Sequence, residues 1–154
     1  PQVLQRNGRT FVVFSCSGSW EPSYKLGMLE LASDGDPLDP CAWRKHASPV
    51  LESSKATCGV GHCSFTQSPD GTEDWIVFHA KVSRAHGWTR VIHAQRFTWD
   101  DDGRPVFGPV VDANVLMPRP SGELAETVAI RARRLLEDVQ VRNVADGSDE
   151  RVAV

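Results

Sequence analysis

Short runs of β-branched and aromatic residues, separated by turns rich in Gly, Pro and Asp, dominate residues 1–107. Such runs predict strands, because successive side chains face opposite sides of a sheet and Gly and Pro interrupt the pairing. All twelve aromatic residues lie between Phe11 and Phe107. The sequence therefore predicts an all-β fold here, with strands at residues 3–4, 10–16, 24–31, 43–46, 60–66, 74–80, 90–99 and 105–107.

The predicted strands fall into two successive groups of four. The first group contains the hairpin signal Asn7-Gly8, and the second contains Gly-ending turns at residues 68–71 and 100–103. Units of about 45 to 55 residues with four strands each have the spacing of propeller blades. An eight-stranded sandwich is the structural alternative. The pattern favours two blades of a propeller.

The hydrophobic pattern of the sequence changes from strand-like to helix-like after residue 123. Val128, Ala132, Leu135 and Val139 recur on one face, which predicts an amphipathic helix over residues 124–143. Such a helix either binds a partner, packs on its own domain or does not fold stably in this chain. Residues 144–154 mix Asp, Gly, Ser and Glu with little apolar content, which predicts a disordered tail.

Composition narrows the classes of partner. The chain has 154 residues and a formal net charge of -3, with 17 basic and 20 acidic residues, so no basic footprint for nucleic acid is expected. No apolar run approaches the roughly 18 residues that a membrane span needs. The sequence opens at Pro1 without the pattern of a signal peptide, and we expect it to begin inside a longer protein. Four cysteines are too few for a disulfide scaffold.

Seven segments appear in an order that is specific in combination, although no single one is diagnostic. The segments are RNGRTF (residues 6–11), SCSGSW (15–20), YKLG (24–27), DPLDP (36–40), GHCSF (61–65), SPDGTEDW (68–75) and AQRFTW (94–99). Together they strongly resemble the C-terminal part of glycoside hydrolase family 43, near its exo-acting α-L-arabinofuranosidases. The resemblance covers residues 1–123.

The resemblance implies the last two blades of a five-bladed β-propeller over residues 1–123. The family's enzymes are secreted or periplasmic, and they remove L-arabinofuranose or D-xylose from plant polysaccharides with inversion. The general acid of the family lies in an Asn-Glu-Gly-Pro motif, and Pro1 resembles the proline of that motif. The acid would then precede Pro1, and the base and an acid-tuning aspartate would come from earlier, missing N-terminal blades.

This chain alone is therefore expected to be inactive, as a fragment of an arabinofuranosidase-like glycosidase. The alternatives are a noncatalytic carbohydrate-binding or interaction module, and a β-xylosidase of the same family. The partner implied is a polysaccharide or oligosaccharide that contains arabinose or xylose, and the location implied is extracellular.

The acidic residues support the expectation of inactivity. Inverting hydrolysis needs a protonated carboxyl and a carboxylate that lie about 6.5 to 9.5 Å apart. The acids of the β region lie in Gly- or Pro-containing turns or at their edges, where we expect turn-forming roles and ordinary pKa values. They are Asp34, Asp36, Asp39, Asp70, Glu73, Asp74, Asp100, Asp101 and Asp102.

His62 is the strongest candidate site residue, because Gly59 and Gly61 permit close backbone approach around it. The resemblance implies that this histidine lies at the bottom of the active site and holds a central calcium ion or its water. Cys63 stands where the family usually has asparagine. A satisfied core histidine is the other interpretation. A zinc site with Cys58, or a disulfide between the two cysteines, is also conceivable, although strand alternation places neighbouring residues on opposite faces.

Arg90, His93 and Trp20 complete the predicted substrate-binding set. Arg90 either lines the site or lies on the surface, and strict alternation places His93 on the opposite face. The family commonly has a second arginine where this chain has His93. Trp20 follows a Ser-Gly-Ser segment and either stacks on a sugar or fills the space between blades. The other tryptophans beside strands with apolar neighbours are expected in the core, and His79 is expected as a structural residue of an inner strand. These tryptophans are Trp75, Trp88 and Trp99.

Overall fold

The structure is a computed structural model that describes residues 1–85, 87–112 and 114–123. The predicted helix at 124–143 and tail at 144–154 lie outside the described residues. The chain divides into two units, Pro1–Ser121 and Gly122–Val154, and every strand described lies in the first. No helix in the described part has the length and apolar character needed to cross a bilayer.

The first sheet is an antiparallel meander in the order β1-β2-β3-β4. Asn7 and Gly8 both have positive φ, at 50° and 74°, as a tight two-residue hairpin requires. A 3-10 turn at Pro40–Ala42 precedes the last strand, and Asp39 accepts a hydrogen bond from Cys41 N at 2.9 Å. The four strands are β1 (Gln2–Arg6), β2 (Arg9–Cys16), β3 (Lys25–Leu31) and β4 (Trp43–Lys45).

The second sheet repeats this meander in the order β5-β6-β7-β8. The turn between its first two strands is closed by a hydrogen bond from Gly71 N to Ser68 O at 2.8 Å. Both predicted groups of four strands are thus present. The strands are β5 (Cys58–Gln67), β6 (Asp74–Lys81), β7 (Arg90–Trp99) and β8 (Pro105–Val106).

One hydrophobic cluster joins the two sheets. Buried side chains alternate with more exposed ones in β2 and in the second half of β7, and buried side chains from both sheets pack together. Trp75 is buried, as expected, and Trp99 packs against the edge of the cluster. The largest side chains that are fully buried are Phe11, Leu26, Leu51, Ile76, Val13 and Val60. Because the sheets share this core, β5 is fixed against the first sheet.

Candidate functional site

The backbone of β5 departs from regular pairing around His62. Gly59 and His62 have φ values of 62° and 55°, and the pairing with β6 shifts twice between Cys58 and Ser64. A left-handed histidine costs about 1 to 2 kcal/mol of backbone energy. His62 N donates to Ser15 Oγ at 2.9 Å, which ties this conformation to β2. The imidazole of His62 is exposed.

Gly61 lets an aromatic ring lie directly on the strand. A Cβ atom at this position would lie 2.2 Å from Tyr24 Cε1, closer than real contacts allow. The Tyr24 ring stacks on the His79 ring, with centroids 5.6 Å apart. The His62 ring is tilted against His79 at 5.7 Å. The glycine thus allows three rings from three different strands or their edges to meet.

His79 is neutral at ordinary pH and accepts a hydrogen bond from Arg90. Burial, and after it the charges of Arg90 and His62, lowers the pKa of His79 to about 4. Arg90 Nε donates to His79 Nε2 at 3.0 Å. Since Nε2 is the acceptor, the proton of the neutral imidazole is assigned to Nδ1. The guanidinium of Arg90 therefore has a fixed position beside the three rings.

Two exposed tryptophans adjoin the same arginine. Arg90 donates to the carbonyl oxygens of Ser19 and Trp88, and its Cζ lies 5.0 Å from the centroid of the Trp88 ring. Trp88 is 67% exposed and Trp20 is 45% exposed. The expectation that Trp88 lies in the core is wrong, because its loop places the ring over Arg90 rather than inside the sheets.

His93 lies away from this group. Pairing between β6 and β7 is continuous from Asp74 to Lys81, so Arg90 and His93, three residues apart, face opposite sides. The His93 ring stacks on Phe78 of the core at 5.5 Å, and burial lowers its pKa. The structure thus brings together His62, Arg90 and Trp20 but not His93.

A cavity of about 340 Å³ opens beside His62. Residues of both sheets line it, and within the described part of the chain no carboxylate is among them. Its lining combines backbone, hydroxyl, aromatic and imidazole groups, which suits a neutral polar ligand. The lining residues are Pro1, Gln2, Val13, Phe14, Ser15, Tyr24, His62 and Cys63.

The donor set does not form a complete metal site. Among the described residues, no group of three or more His, Cys, Asp or Glu side chains is placed to hold a metal ion. Calcium prefers six to eight oxygen ligands, so a calcium ion beside His62 would need oxygen ligands in addition to the described His, Cys, Asp and Glu side chains. Burial raises the pKa of Cys63 to about 11, so its side chain is a thiol at neutral pH. Cys58 and Cys63 are buried and not disulfide-bonded.

The turn acids Asp70 and Glu73 differ from the expectation of ordinary pKa values. Hydrogen bonds from the hydroxyls of Ser121 and Ser68 hold the pKa of Asp70 well below its usual range. The backbone N–H of Ser121 and then the Arg96 guanidinium lower the pKa of Glu73. These carboxylates order the turn that follows β5, because Ser121 reaches both of them.

Two further acids are also held in the charged form. Hydrogen bonds from Ser54 and Thr57 lower the pKa of Asp112. Burial raises the pKa of Glu30, but Arg9 and Arg104 outweigh burial and leave it below the usual value. A general acid needs the opposite shift. None of these carboxylates has the environment of a proton donor.

Sequence reasoning missed the central positions of Tyr24 and His79. Tyr24 is the single tyrosine of the chain, but nothing local distinguishes it from a core aromatic. His79 shares a strand face with Lys81, which is 5% exposed and donates to backbone carbonyls of two loops. Two polar residues at alternate positions of an otherwise apolar strand are the signal that marks this face.

Two four-stranded antiparallel meanders that share one core define the class of the fold as consecutive blades of a β-propeller. The family model described as "Glycosyl hydrolases family 43" matches residues 1–105. The chain belongs to this glycoside hydrolase family. Its two sheets are accordingly blades of a five-bladed β-propeller, as the resemblance implied, and not a sandwich.

Individual relatives agree with this assignment. The chain is 37% identical over 121 residues to "Alpha-L-arabinofuranosidase 43" of Humicola insolens, with 73% of this chain and 25% of the relative covered. It is 36% identical to "Extracellular exo-alpha-(1->5)-L-arabinofuranosidase" of Streptomyces avermitilis, with the same coverage of 73% and 25%. The crystal structure of α-L-arabinofuranosidase from Lactobacillus brevis superposes with a TM-score of 0.69 at 40% identity, covering 75% of this chain and 38% of that one. The chain thus spans a quarter of the length of these curated relatives.

Proposed function

We propose that this chain forms two blades of a glycosidase that removes terminal α-L-arabinofuranosyl residues from plant polysaccharides by an inverting acid/base mechanism. The observation that carries the proposal is the cavity beside His62, which lies on the blade surface of a family 43 chain. Tyr24 lines this cavity and stacks on His79. The names of the curated relatives favour arabinose over xylose as the sugar.

The proton-transfer groups belong, in this proposal, to parts of the protein outside this chain. Inverting hydrolysis needs one carboxyl whose pKa is raised by burial or by a like charge. The cavity lining described contains no carboxylate, and Glu30, Asp70, Glu73 and Asp112 all have lowered pKa values. The described residues are therefore assigned to binding and positioning.

Arg90 and His62 have the chemistry to bind a sugar. Arg90 uses three of its five N–H donors on His79, Trp88 and Ser19, and two remain for sugar hydroxyls. His62 presents an exposed imidazole at the cavity, on a backbone fixed by Ser15. Because His79 is neutral, it holds Arg90 without cancelling the guanidinium charge.

A noncatalytic carbohydrate-binding module is the second candidate function. It is favoured by the same observation that no described carboxylate lines the cavity. Secretion of the whole protein is supported by the Streptomyces relative, whose name includes the word extracellular. Both candidates predict a neutral saccharide as ligand, and hydrolysis separates them.

The test compares the 154-residue chain with the native full-length protein on 4-nitrophenyl α-L-arabinofuranoside and the matching β-D-xyloside. We expect turnover of the arabinofuranoside by the full-length protein and none by the chain, because the described residues place no carboxyl pair at the cavity. Proton NMR of the first sugar released should show the inverted anomer. Turnover by the pure chain would refute the assignment of the acid and base, and an inactive full-length protein that binds saccharide would support the binding module.

The native gene offers an independent check. Codons for Asn-Glu-Gly directly before Pro1 would supply the expected general acid. A different sequence there would contradict the proposed position of the acid.

A further inference from the structure

Two tryptophans from distant parts of the sequence form an exposed pair. The rings of Trp20 and Trp88 have centroids 5.8 Å apart and planes inclined by 53°. They are 45% and 67% exposed, and they come from the loops after β2 and after β6. A single exposed tryptophan needs no explanation, but an ordered pair of large apolar rings at the surface typically marks a binding site.

Two buried or half-buried cations hold the loops of this pair. Lys81 donates to the carbonyl oxygens of Trp20 and Gly87, the latter at 3.0 Å. Arg90 donates to the carbonyl oxygens of Ser19 and Trp88. Burial of a lysine is costly unless its hydrogen bonds are satisfied, so these contacts specify the loop positions closely. The indole pair is therefore organised before any ligand arrives.

Each ring is supported on one side. A Cβ atom at Gly18 would lie 3.0 Å from Trp20 Cε2, so the indole of Trp20 packs against the glycine backbone. The Arg90 guanidinium lies over the Trp88 ring. The remaining ring surface is in solvent, where an indole presents a flat apolar face. Arg90 also donates a hydrogen bond to His79, so it links the tryptophan pair to the histidine and tyrosine rings beside the cavity.

We propose that Trp20 and Trp88 form a second sugar subsite, which stacks on the sugar units that follow the terminal one in a neutral oligosaccharide. The apolar C–H face of a sugar ring suits an indole face, and the free N–H groups of Arg90 suit its hydroxyls. Because the two indole planes are inclined by 53°, they suit stacking on two consecutive sugar units of a bent oligosaccharide rather than on one sugar ring. The subsite deepens the proposed function by adding the leaving-group side of the substrate.

The test measures binding of linear α-1,5-arabinotriose to the native full-length protein by stopped-flow tryptophan fluorescence, which reads binding before turnover. We expect Trp88→Ala to raise the Kd for arabinotriose about fivefold to tenfold, since stacked aromatic contacts have that size. We expect Trp88→Phe to recover most of the affinity because a flat ring is kept. The control is Leu38→Ala, which changes another exposed apolar side chain, 89% exposed, and should leave the Kd unchanged.

The outcomes separate the subsite from the proposed function. If Trp88→Ala binds arabinotriose with unchanged affinity, the subsite is overturned, even if the enzyme hydrolyses arabinofuranosides. The same holds if the substitution abolishes only self-association or the binding of another protein. A tryptophan-dependent affinity in a protein without hydrolytic activity supports the subsite and refutes the hydrolase. Thermal unfolding of each variant checks the fold. If Trp88→Ala is unfolded, Trp20→Ala removes the other ring of the pair and should raise the Kd for arabinotriose in the same way, whereas an unchanged Kd overturns the subsite.

Discussion

His79 shows how one residue acquires a role that its sequence position does not reveal. Its ring is stacked on Tyr24, tilted against His62 and hydrogen-bonded to Arg90. Each contact comes from a different strand or loop. The low pKa, about 4, follows from burial first and from neighbouring positive charge second. His79 is therefore a positioning residue that acts through Arg90.

The depressed pKa of His79 predicts a specific pH dependence of stability. Between pH 6.5 and about 4 the unfolded state binds the His79 proton and the folded state does not, so the free energy of unfolding falls as the pH is lowered through this range. We expect His79→Asn, which keeps a hydrogen-bond acceptor, to flatten this fall. Urea midpoints of the native full-length protein and its variant, measured from pH 7 to 5, above the range of most carboxyl titrations, check the prediction. An equal fall in both proteins would contradict it.

At the scale of elements, Glu30 joins β3 to β2 and to the segment after β7. Its carboxylate pairs with Arg9 and with Arg104, whose Nε lies 3.4 Å from Glu30 Oε2. Both arginines also bond to Asp102, Arg9 through the backbone carbonyl and Arg104 through the carboxylate. The network thus crosses from the first blade to the turn that leads into β8.

This network predicts a loss of stability when Glu30 is neutralised. We expect Glu30→Gln to lower the free energy of unfolding by about 1 to 3 kcal/mol at pH 7, because two arginines lose a half-buried partner. Since the pKa of Glu30 is lowered in the fold, the difference between variant and parent should shrink as the pH falls below 4.5. Urea denaturation of the native full-length protein and its variants gives the measurement. The exposed Glu52→Gln is the control, and an equal effect of both substitutions would argue against the network.

At the scale of the whole molecule, two blades leave apolar surface and strand edges uncovered. Val91 and Ile92 of β7 are 44% and 83% exposed. Among the described residues, β8 pairs only with Thr98 and Trp99, so the remaining outer edge of β7 has no partner strand there. An open edge with apolar side chains favours association between chains.

We therefore expect the 154-residue chain to self-associate in solution or to unfold without a sharp transition. Sedimentation velocity over a range of concentrations should show oligomers, and Ile92→Lys should shift them toward monomer because a charge blocks edge pairing. A monomeric chain with a cooperative unfolding transition would be the opposite result. The native full-length protein is the comparison.

Much of the fold followed from local patterns. Alternation, the Asn7-Gly8 hairpin and the Gly-containing turns depend on neighbours in sequence, and they predicted both meanders. Burial of Trp75 followed from its apolar strand in the same way. The ordered motifs predicted the family, which the match over residues 1–105 confirms. The helix at 124–143 and the tail at 144–154 stay predictions.

Only the tertiary structure decided which polar groups meet. Side chains that are far apart in sequence are brought together by the left-handed His62, by the glycine beneath Tyr24 and by the loops that Lys81 holds. His93, by contrast, lies on the core face. The exposure of Trp88 and the lowered pKa of Asp70 also depend on such contacts. Strand periodicity is a local property of the backbone, whereas burial, ring stacking and pKa depend on the distances between elements, which packing alone sets.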